Sequence, residues 1–282
     1  MTVDARTGLL RKNNLPTILG GIGALLIGLL ISIAVLAPWL APYDASERVG
    51  TPFQPPSAEH PLGTNDVGQD LLSELIFGTR VSLTVGIVAA AVALLIGTTV
   101  GVLAGYYPKR LGSVLMRTVD VILILPFLPL LIVLAAYLGR SLTTTTLVIG
   151  SLIWAGSARI IRSQVLSLRT RDYVLASKSM GASDRWAILR HVLPRTALLA
   201  TGEFVQATAG AILLEAALSF LGLGDPLQKS WGSILYWAQV RGAFLSPAWK
   251  WWVLPPGLMI MLASLGFALV AFAMEERINP RL

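Results

Sequence analysis

TILGGIGALLIGLLISIAVLAPWL, from Thr17 to Leu40, contains no charged residue and is long enough to cross a lipid bilayer as one helix. Basic residues precede it at Arg6, Arg11 and Lys12, as they would in a signal peptide. The apolar run, however, exceeds the roughly 7 to 15 residues of a signal-peptide core. We therefore predict a retained membrane anchor instead of a cleaved leader.

Further apolar stretches of similar length follow the first one along the chain. They lie at Val81 to Gly105, Val114 to Leu138, Thr144 to Ile161, Ala197 to Leu221 and Trp251 to Met274. The composition agrees, because 55% of residues are hydrophobic, only 13% are charged and the mean hydropathy is +0.71, whereas a soluble domain carries roughly a quarter charged residues. The sequence predicts an all-α polytopic membrane protein with six transmembrane helices.

The distribution of lysine and arginine predicts how these spans are oriented. Sixteen of the 22 basic residues lie in the N-terminus, the C-terminus and the segments that alternate with them, and six lie on the other side. Because basic residues accumulate on the cytoplasmic side, both termini are expected in the cytoplasm. Three tryptophans, Trp249, Trp251 and Trp252, stand where the sixth span would enter the outer interface.

This topology divides the chain into one membrane domain with short extensions. We expect a cytoplasmic tail over residues 1–16 and a transmembrane domain over residues 17–282. The domain includes an external loop at 41–80, where Pro52, Pro55 and Pro56 indicate irregular chain. It also includes a basic, partly helical cytoplasmic loop at 162–195.

The sequence lacks the motifs that several classes of activity require. No Gly-x-x-x-x-Gly-Lys-Ser/Thr string is present to hold ATP phosphates, and no His-Glu-x-x-His string is present to hold zinc. There is no cysteine, which excludes disulfides and thiolate metal sites. The net charge of +7 is spread between membrane spans instead of forming one nucleic-acid-binding patch. We expect no enzyme, no cofactor, no metal and no nucleic-acid partner, so a partner or an ion gradient must supply energy.

The cytoplasmic loop contains the most informative segment, YVLASKSMGASDRWAILRHVLP, from Tyr173 to Pro194. It predicts a helix that ends near Met180, a turn at Gly181, and a short helix capped by Ser183 that stops at Pro194. Apolar residues of the short helix are expected on its surface, among Arg185 and Arg190. They suit either a groove on a partner protein or the headgroup region of the membrane.

Two acidic residues within the spans are candidate site residues. Charged groups at membrane depth are costly unless they face water or a partner. Glu215 could therefore line a transport pathway, or it could hold the turn at Gly222 and Gly224. Asp120 is expected to pair with Arg117, one turn earlier on the same helix.

Small residues recur on the second span at Gly97, Gly101 and Gly105. This spacing places them on one helix face, where another helix backbone can approach closely. We predict that they serve helix packing.

Several motifs together resemble those of ABC-importer permeases. The EAA loop of these permeases is similar in the spacing of Ala176, Gly181, Leu193 and Pro194. Leu175 and Ser177 replace its usual Glu and second Ala. The remaining motifs resemble the C-type subunit of the dipeptide, oligopeptide and nickel permease family. They are HPLGTNDVGQDLLSELIFGTRVSL (60–83), MRTVD (116–120), WAGSARIIR (154–162), EAALSFLGLGDP (215–226), Ser230 to Gly232, PPG (255–257) and NPR (279–281). Asn65, Gln69 and Glu74 depart from the family's usual Asp, Arg and Arg.

This resemblance implies a type I importer fold and a set of partners. They are a paralogous permease subunit, two ATP-hydrolysing subunits that carry ATP and Mg²⁺, an external or periplasmic solute-binding protein, and the lipid of the bacterial plasma membrane. The coupling residues toward the ATPase subunit would be Ala176, Gly181, Ala182, Ser183, Asp184, Arg185, Trp186, Ile188, Leu189, Arg190 and Pro194. Peptides are the expected substrates, with nickel chelates and glycosides as alternatives. An ion-coupled carrier, which needs intramembrane carboxylates that cycle through protonation, is the competing class.

Overall fold

The computed structural model describes residues 15–278, and every regular element in this range is a helix. The helices are α1 Leu15–Leu40, α2 Leu71–Tyr106, α3 Arg110–Ile124, α4 Phe127–Leu138, α5 Leu142–Leu168, α6 Asp172–Ser179, α7 Asp184–Ala187, α8 Leu193–Phe220, α9 Trp231–Val240 and α10 Leu254–Ile278. The predicted N-terminal tail falls outside these residues except for its last two positions. The C-terminal NPR motif also lies outside them.

The expected membrane helices are present, with one correction. In the described residues 15–278, five helices are long and apolar enough to cross a membrane: α1, α2, α5, the helix from Asp184 to Phe220, and the helix from Trp249 to Glu276. The third predicted span, Val114 to Leu138, is not one continuous helix. It consists of α3 and α4, whose axes meet at an angle of 89°.

Pro126 explains the break between α3 and α4. Proline cannot donate a backbone hydrogen bond, and its ring clashes with the preceding helical turn. The residue before a proline is also driven out of helical geometry, and Leu125 accordingly has φ −63° and ψ 139°. The apolar composition of the segment concealed this bend, because composition does not report helix direction.

The predicted helix stop at Pro194 is wrong. The chain runs from α7 through one wide turn, Ile188–Val192, directly into α8. The amide of Leu193 bonds to the carbonyl of Ile188, five residues earlier, and Pro194 lies in the first turn of α8. A widened turn of this kind gives room to the proline ring. Trp249–Val253 forms the same kind of turn ahead of Pro255 and Pro256.

The segment between α1 and α2 is shorter than the loop predicted for residues 41–80, because α2 already begins at Leu71. Asp70 caps the helix, and its carboxylate accepts hydrogen bonds from the amide and hydroxyl of Ser73, both at 2.8 Å. The other oxygen of Asp70 lies 3.0 Å from Nδ1 of the buried His60. This segment of residues 41–70, which we call the outer segment, is thereby fixed to the start of α2.

Helix α2 packs along α5 at the glycines expected to serve helix packing. A Cβ atom on Gly97 would lie 2.9 Å from the carbonyl oxygen of Trp154. On Gly101 it would lie 2.7 Å from the carbonyl oxygen of Ala158, and on Gly105 it would lie 2.7 Å from the Cβ of Val165. No side chain fits at these positions without moving the two backbones apart, so the glycines set the distance between α2 and α5.

Candidate coupling surface and polar sites

Two short helices and one wide turn, residues 172–192, form a compact unit at the end of α2 that carries Tyr106. We call this unit the coupling element. Helix α6 ends at Ser179, and Gly181, two residues later, has a φ of +89°, in the left-handed region. The amides of Gly181 and Ala182 bond to the carbonyls of Lys178 and Ser177, both at 3.0 Å, which is the pattern of a glycine-terminated helix. Ser183 then caps α7 by accepting a bond from the amide of Trp186.

Polar contacts attach the coupling element to α2. Asp184 lies 2.8 Å from the ammonium of Lys178 and accepts a hydrogen bond of 3.0 Å from the hydroxyl of Tyr106, the last residue of α2. The hydrogen bond to Asp184 raises the pKa of Lys178 above its ordinary value. Arg169 also donates to the backbone carbonyl of Tyr106 at 3.1 Å. The middle of the element is therefore bonded to the end of α2, and Arg169, just before the element, is bonded to the same residue.

Apolar packing supports the same attachment. Val174, Ala187 and Val192 of the coupling element are fully buried against a cluster that includes Val102 and Ile161. Ile188 was expected to be exposed, but it is partly buried against this cluster. The inner face of the element therefore has a helix partner within the chain.

The outer face of the coupling element is open. Trp186 is 46% exposed and Leu189 is 53% exposed, with the exposed Arg185 and Arg190 beside them. The ring of Trp186 meets the ring of His191 edge to face at 5.0 Å, which limits the positions it can take. The result is a small apolar surface with two cations, held in a defined position.

The remaining predicted coupling residues are placed around this face. Exposed positions are Ala176, Gly181, Ser183 and Pro194, and partly exposed positions are Ala182 and Asp184. No atom lies within 4 Å of a Cβ built on Gly181, so its glycine is required by backbone conformation and not by close packing.

Glu215 lies inside the chain and not on an open surface, being only 2% exposed. It accepts hydrogen bonds from the hydroxyls of Ser219 at 2.6 Å and Ser82 at 3.2 Å. The hydroxyl oxygen of Ser82 in turn accepts a hydrogen bond from the backbone amide of Trp231, the first residue of α9. Among the side chains of residues 15–276, no cation lies at ion-pair distance from Glu215. These contacts join α2, α8 and α9.

Asp120 does not pair with Arg117 as expected. It lies 2.7 Å from Arg159 of α5, and both side chains of this pair are more than half exposed. Arg117 is the nearest cation along α3, but α5 packs beside α3 and brings Arg159 closer to Asp120. Asp120 therefore lies on an exposed polar surface that is shared by two helices.

A buried polar network was missed by the sequence analysis. Glu74 is 2% exposed, and its Oε1 lies 2.7 Å from the ammonium of Lys229 and 2.9 Å from the amide nitrogen of Asn65. The side-chain oxygen of Gln69 accepts hydrogen bonds from Lys229 at 3.0 Å and from Asn65 at 2.8 Å. Asn65, Gln69 and Glu74 are the positions that depart from the family pattern, and their joint departure was the available signal.

Metal-binding side chains do not gather in the described part of the chain, where no group of three His, Cys, Asp or Glu residues could hold an ion. Nδ1 of His60 is hydrogen-bonded to the carboxylate of Asp70, and the His60 ring packs against Tyr43 with ring centroids 5.3 Å apart.

Comparison with known proteins gives concordant matches. Residues 97–282 match the family described as "Binding-protein-dependent transport system inner membrane component". A putative peptide transport system permease protein of Brucella suis is 39% identical over 267 residues, covering 93% of this chain and 87% of the relative. The dipeptide transport system permease protein DppC of Alkalihalophilus pseudofirmus is 36% identical, covering 97% and 88%. A glutathione transport system permease protein of Pectobacterium atrosepticum is 33% identical, covering 92% and 85%.

Proposed function

The chain belongs to the family of inner membrane components of binding-protein-dependent transport systems, and from this membership we propose that it is one permease subunit of an ATP-driven peptide importer. It is a multi-pass inner-membrane protein with a type I importer fold. Its relatives are non-catalytic permease subunits, so ATP and Mg²⁺ would be bound by partner subunits.

The proposed assembly pairs this chain with a paralogous permease, two ATPase subunits and a solute-binding protein on the outer side. The observation that carries the proposal is the open face of the coupling element. Trp186 and Leu189 are exposed although they stand on a unit whose other face is packed. An aromatic anchor with flanking arginines is typical of residues that dominate a protein interface.

In this mechanism the coupling element passes movement of the ATPase pair to the spanning helices. ATP binding would close the two ATPase subunits and draw the two coupling elements together. Because Asp184 and Tyr106 join the element to α2, α2 would move with it and the cavity between the permeases would open outward. Hydrolysis would reset the assembly. This mechanism places both chain termini in the cytoplasm, as the distribution of basic residues predicts.

Peptides are the proposed substrates because the relatives that align with nearly the whole chain are named as peptide, dipeptide or di/tripeptide transport system permeases. Glutathione, named for another relative, is itself a small peptide. Nickel chelates and glycosides are the alternatives within the same machinery. The pathway residues are also a proposal. Asp120 lies on an exposed surface that could face the pathway, whereas the buried contacts of Glu215 favour a structural role.

The test is to replace Trp186 with Ala in the reconstituted importer. We expect at least a tenfold loss of ATP-driven uptake and a reduced yield of copurifying ATPase, because truncation of a central interface aromatic costs about 2 kcal/mol or more. Leu227→Ala is the matched control, since Leu227 is 88% exposed beyond the far end of α8. Normal uptake by the Trp186 variant would reject this docking surface. Uptake that stops with a proton ionophore while ATP remains would favour the ion-coupled carrier.

A further inference from the structure

Two neighbouring cavities meet at one arginine near the outer segment. The first, which we call the polar cavity after the charged side chains of Asp44, Arg80 and Lys229 on its wall, has a volume of about 260 Å³. The second is a largely apolar groove between α1 and α2, with a volume of about 400 Å³. Arg80 is part of both walls. A charged group at the junction of a polar cavity and an apolar groove matches the shape of an amphiphilic ligand.

Arg80 has no carboxylate partner among residues 15–278. It is exposed, and it lies roughly 14 Å along α2 from Leu71, at a rise of 1.5 Å per residue. An arginine on the side surface of a membrane helix is costly unless it meets water or an anion. Arg80 is therefore a cation that is available to a ligand.

The groove below Arg80 is formed by apolar side chains of both helices. Val35 of α1 is 62% exposed and Val88 of α2 is 43% exposed, and Ile31 and Ile87 lie beside them. From Arg80 to Val88 the groove follows about 12 Å of helix. This length and composition suit a fatty acyl chain.

The polar cavity carries charges of both signs. Lys229 adds a second cation, although Glu74 pairs with it at 2.7 Å. On the wall formed by the outer segment, hydrogen bonds from the hydroxyl and amide of Ser46 lower the pKa of the Asp44 carboxyl. Asp44 would repel a purely anionic headgroup. In a headgroup with a phosphate and an ammonium, Arg80 would attract the phosphate and Asp44 would attract the ammonium.

We propose that this site binds one phospholipid with a primary-amine headgroup. Its phosphate lies at Arg80, its ammonium lies at Asp44, and one acyl chain occupies the groove between α1 and α2. The site is separate from the coupling element and from Asp120, so lipid binding does not depend on the import activity proposed above.

The experiment places the full-length chain in nanodiscs of phosphatidylglycerol that contain a small share of phosphatidylethanolamine with a photoreactive acyl chain. Crosslinked peptides are identified by mass spectrometry. We expect labelling in 31–35 and 83–88. Arg80→Ala should lower this labelling about tenfold, since a charge-assisted hydrogen bond contributes about 1.5 kcal/mol or more. Arg140→Ala is the matched control, because Arg140 is also exposed and has no described ion-pair partner.

Two further variants separate the parts of the site. Val88→Trp should fill the groove and abolish labelling while Arg80 is intact. Asp44→Asn should keep labelling but remove the preference for phosphatidylethanolamine over unlabelled phosphatidylglycerol. Undiminished labelling in Arg80→Ala, competition by inorganic phosphate alone, or a preference of the unmodified chain for phosphatidylglycerol would each overturn the proposal. In the assembled importer, a crosslink from this groove to the sister permease would also overturn the proposal, because protein and not lipid would then occupy the groove.

Discussion

The outer segment and the coupling element lie beside opposite ends of α2, and they differ in which side chains are buried and which are exposed. The outer segment is fixed by buried polar contacts, because Asp70 meets His60 and Asn65 bonds to Glu74 of α2, which pairs with Lys229. The coupling element packs its inner face but leaves Trp186 and Leu189 in the open. A segment whose polar groups are satisfied internally can be stable alone, whereas an exposed apolar face on an ordered unit indicates a partner.

The largest effect is expected at the outer segment. Replacing Lys229 with Met leaves Glu74 buried without its cation, which should cost about 3 kcal/mol of stability. The purified chain should unfold at a lower temperature, and proteases should cleave residues 41–70 more rapidly. Lys250→Met is the control, because Lys250 is exposed and has no ion-pair partner in the described range.

The double variant sharpens this result. Lys229→Met combined with Glu74→Met removes both charges, so most of the lost stability should return. If the double variant is as unstable as the single one, the ion pair is not what fixes the outer segment, and the contrast with the coupling element is lost.

An intermediate effect is expected at the turn of the coupling element. Gly181→Ala places a side chain at φ +89° and should cost about 1 to 2 kcal/mol locally. Uptake should fall while membrane insertion persists. Gly181→Trp should lower uptake at least as much, because it has the same backbone strain and adds a bulky side chain to the proposed docking surface.

Gly202→Ala is the matched control for this turn. Gly202 is within α8 and also has no neighbour within 4 Å of a Cβ, so alanine should be tolerated there or should stabilise the helix. Equal losses of uptake in the Gly181 and Gly202 variants would contradict the role given to the left-handed turn.

The smallest effect is expected at the link between the coupling element and α2. Tyr106→Phe keeps the ring but removes the hydrogen bond to Asp184, worth about 1 kcal/mol. Amide hydrogen exchange in α7 should become about fivefold faster. Tyr137→Phe should leave this exchange unchanged, since Tyr137 is 87% exposed on α4. Unchanged exchange in the Tyr106 variant would show that apolar packing alone holds the element.

Sequence reasoning succeeded wherever the signal was local along the chain. Long apolar stretches require helices in lipid, because backbone polar groups find no water there. The order Gly181, Ser183 and Asp184 encodes a turn followed by a capped helix, and the structure has both. Pro126 was also a local signal, and the bend at α3 and α4 could have been predicted from it. The wide turn before Pro194 could not, since a proline is compatible with either a stop or a widened helix.

The amino-acid sequence by itself determined the helical membrane class, the family and the position of the coupling element. The tertiary structure alone decided which charges meet. Asp120 pairs with Arg159 of another helix and not with its neighbour Arg117, and Lys229 reaches Gln69 across 160 positions of sequence. The reason is physical: helix periodicity and capping act within a few residues, whereas the partner of a buried or interhelical charge depends on which helices pack together.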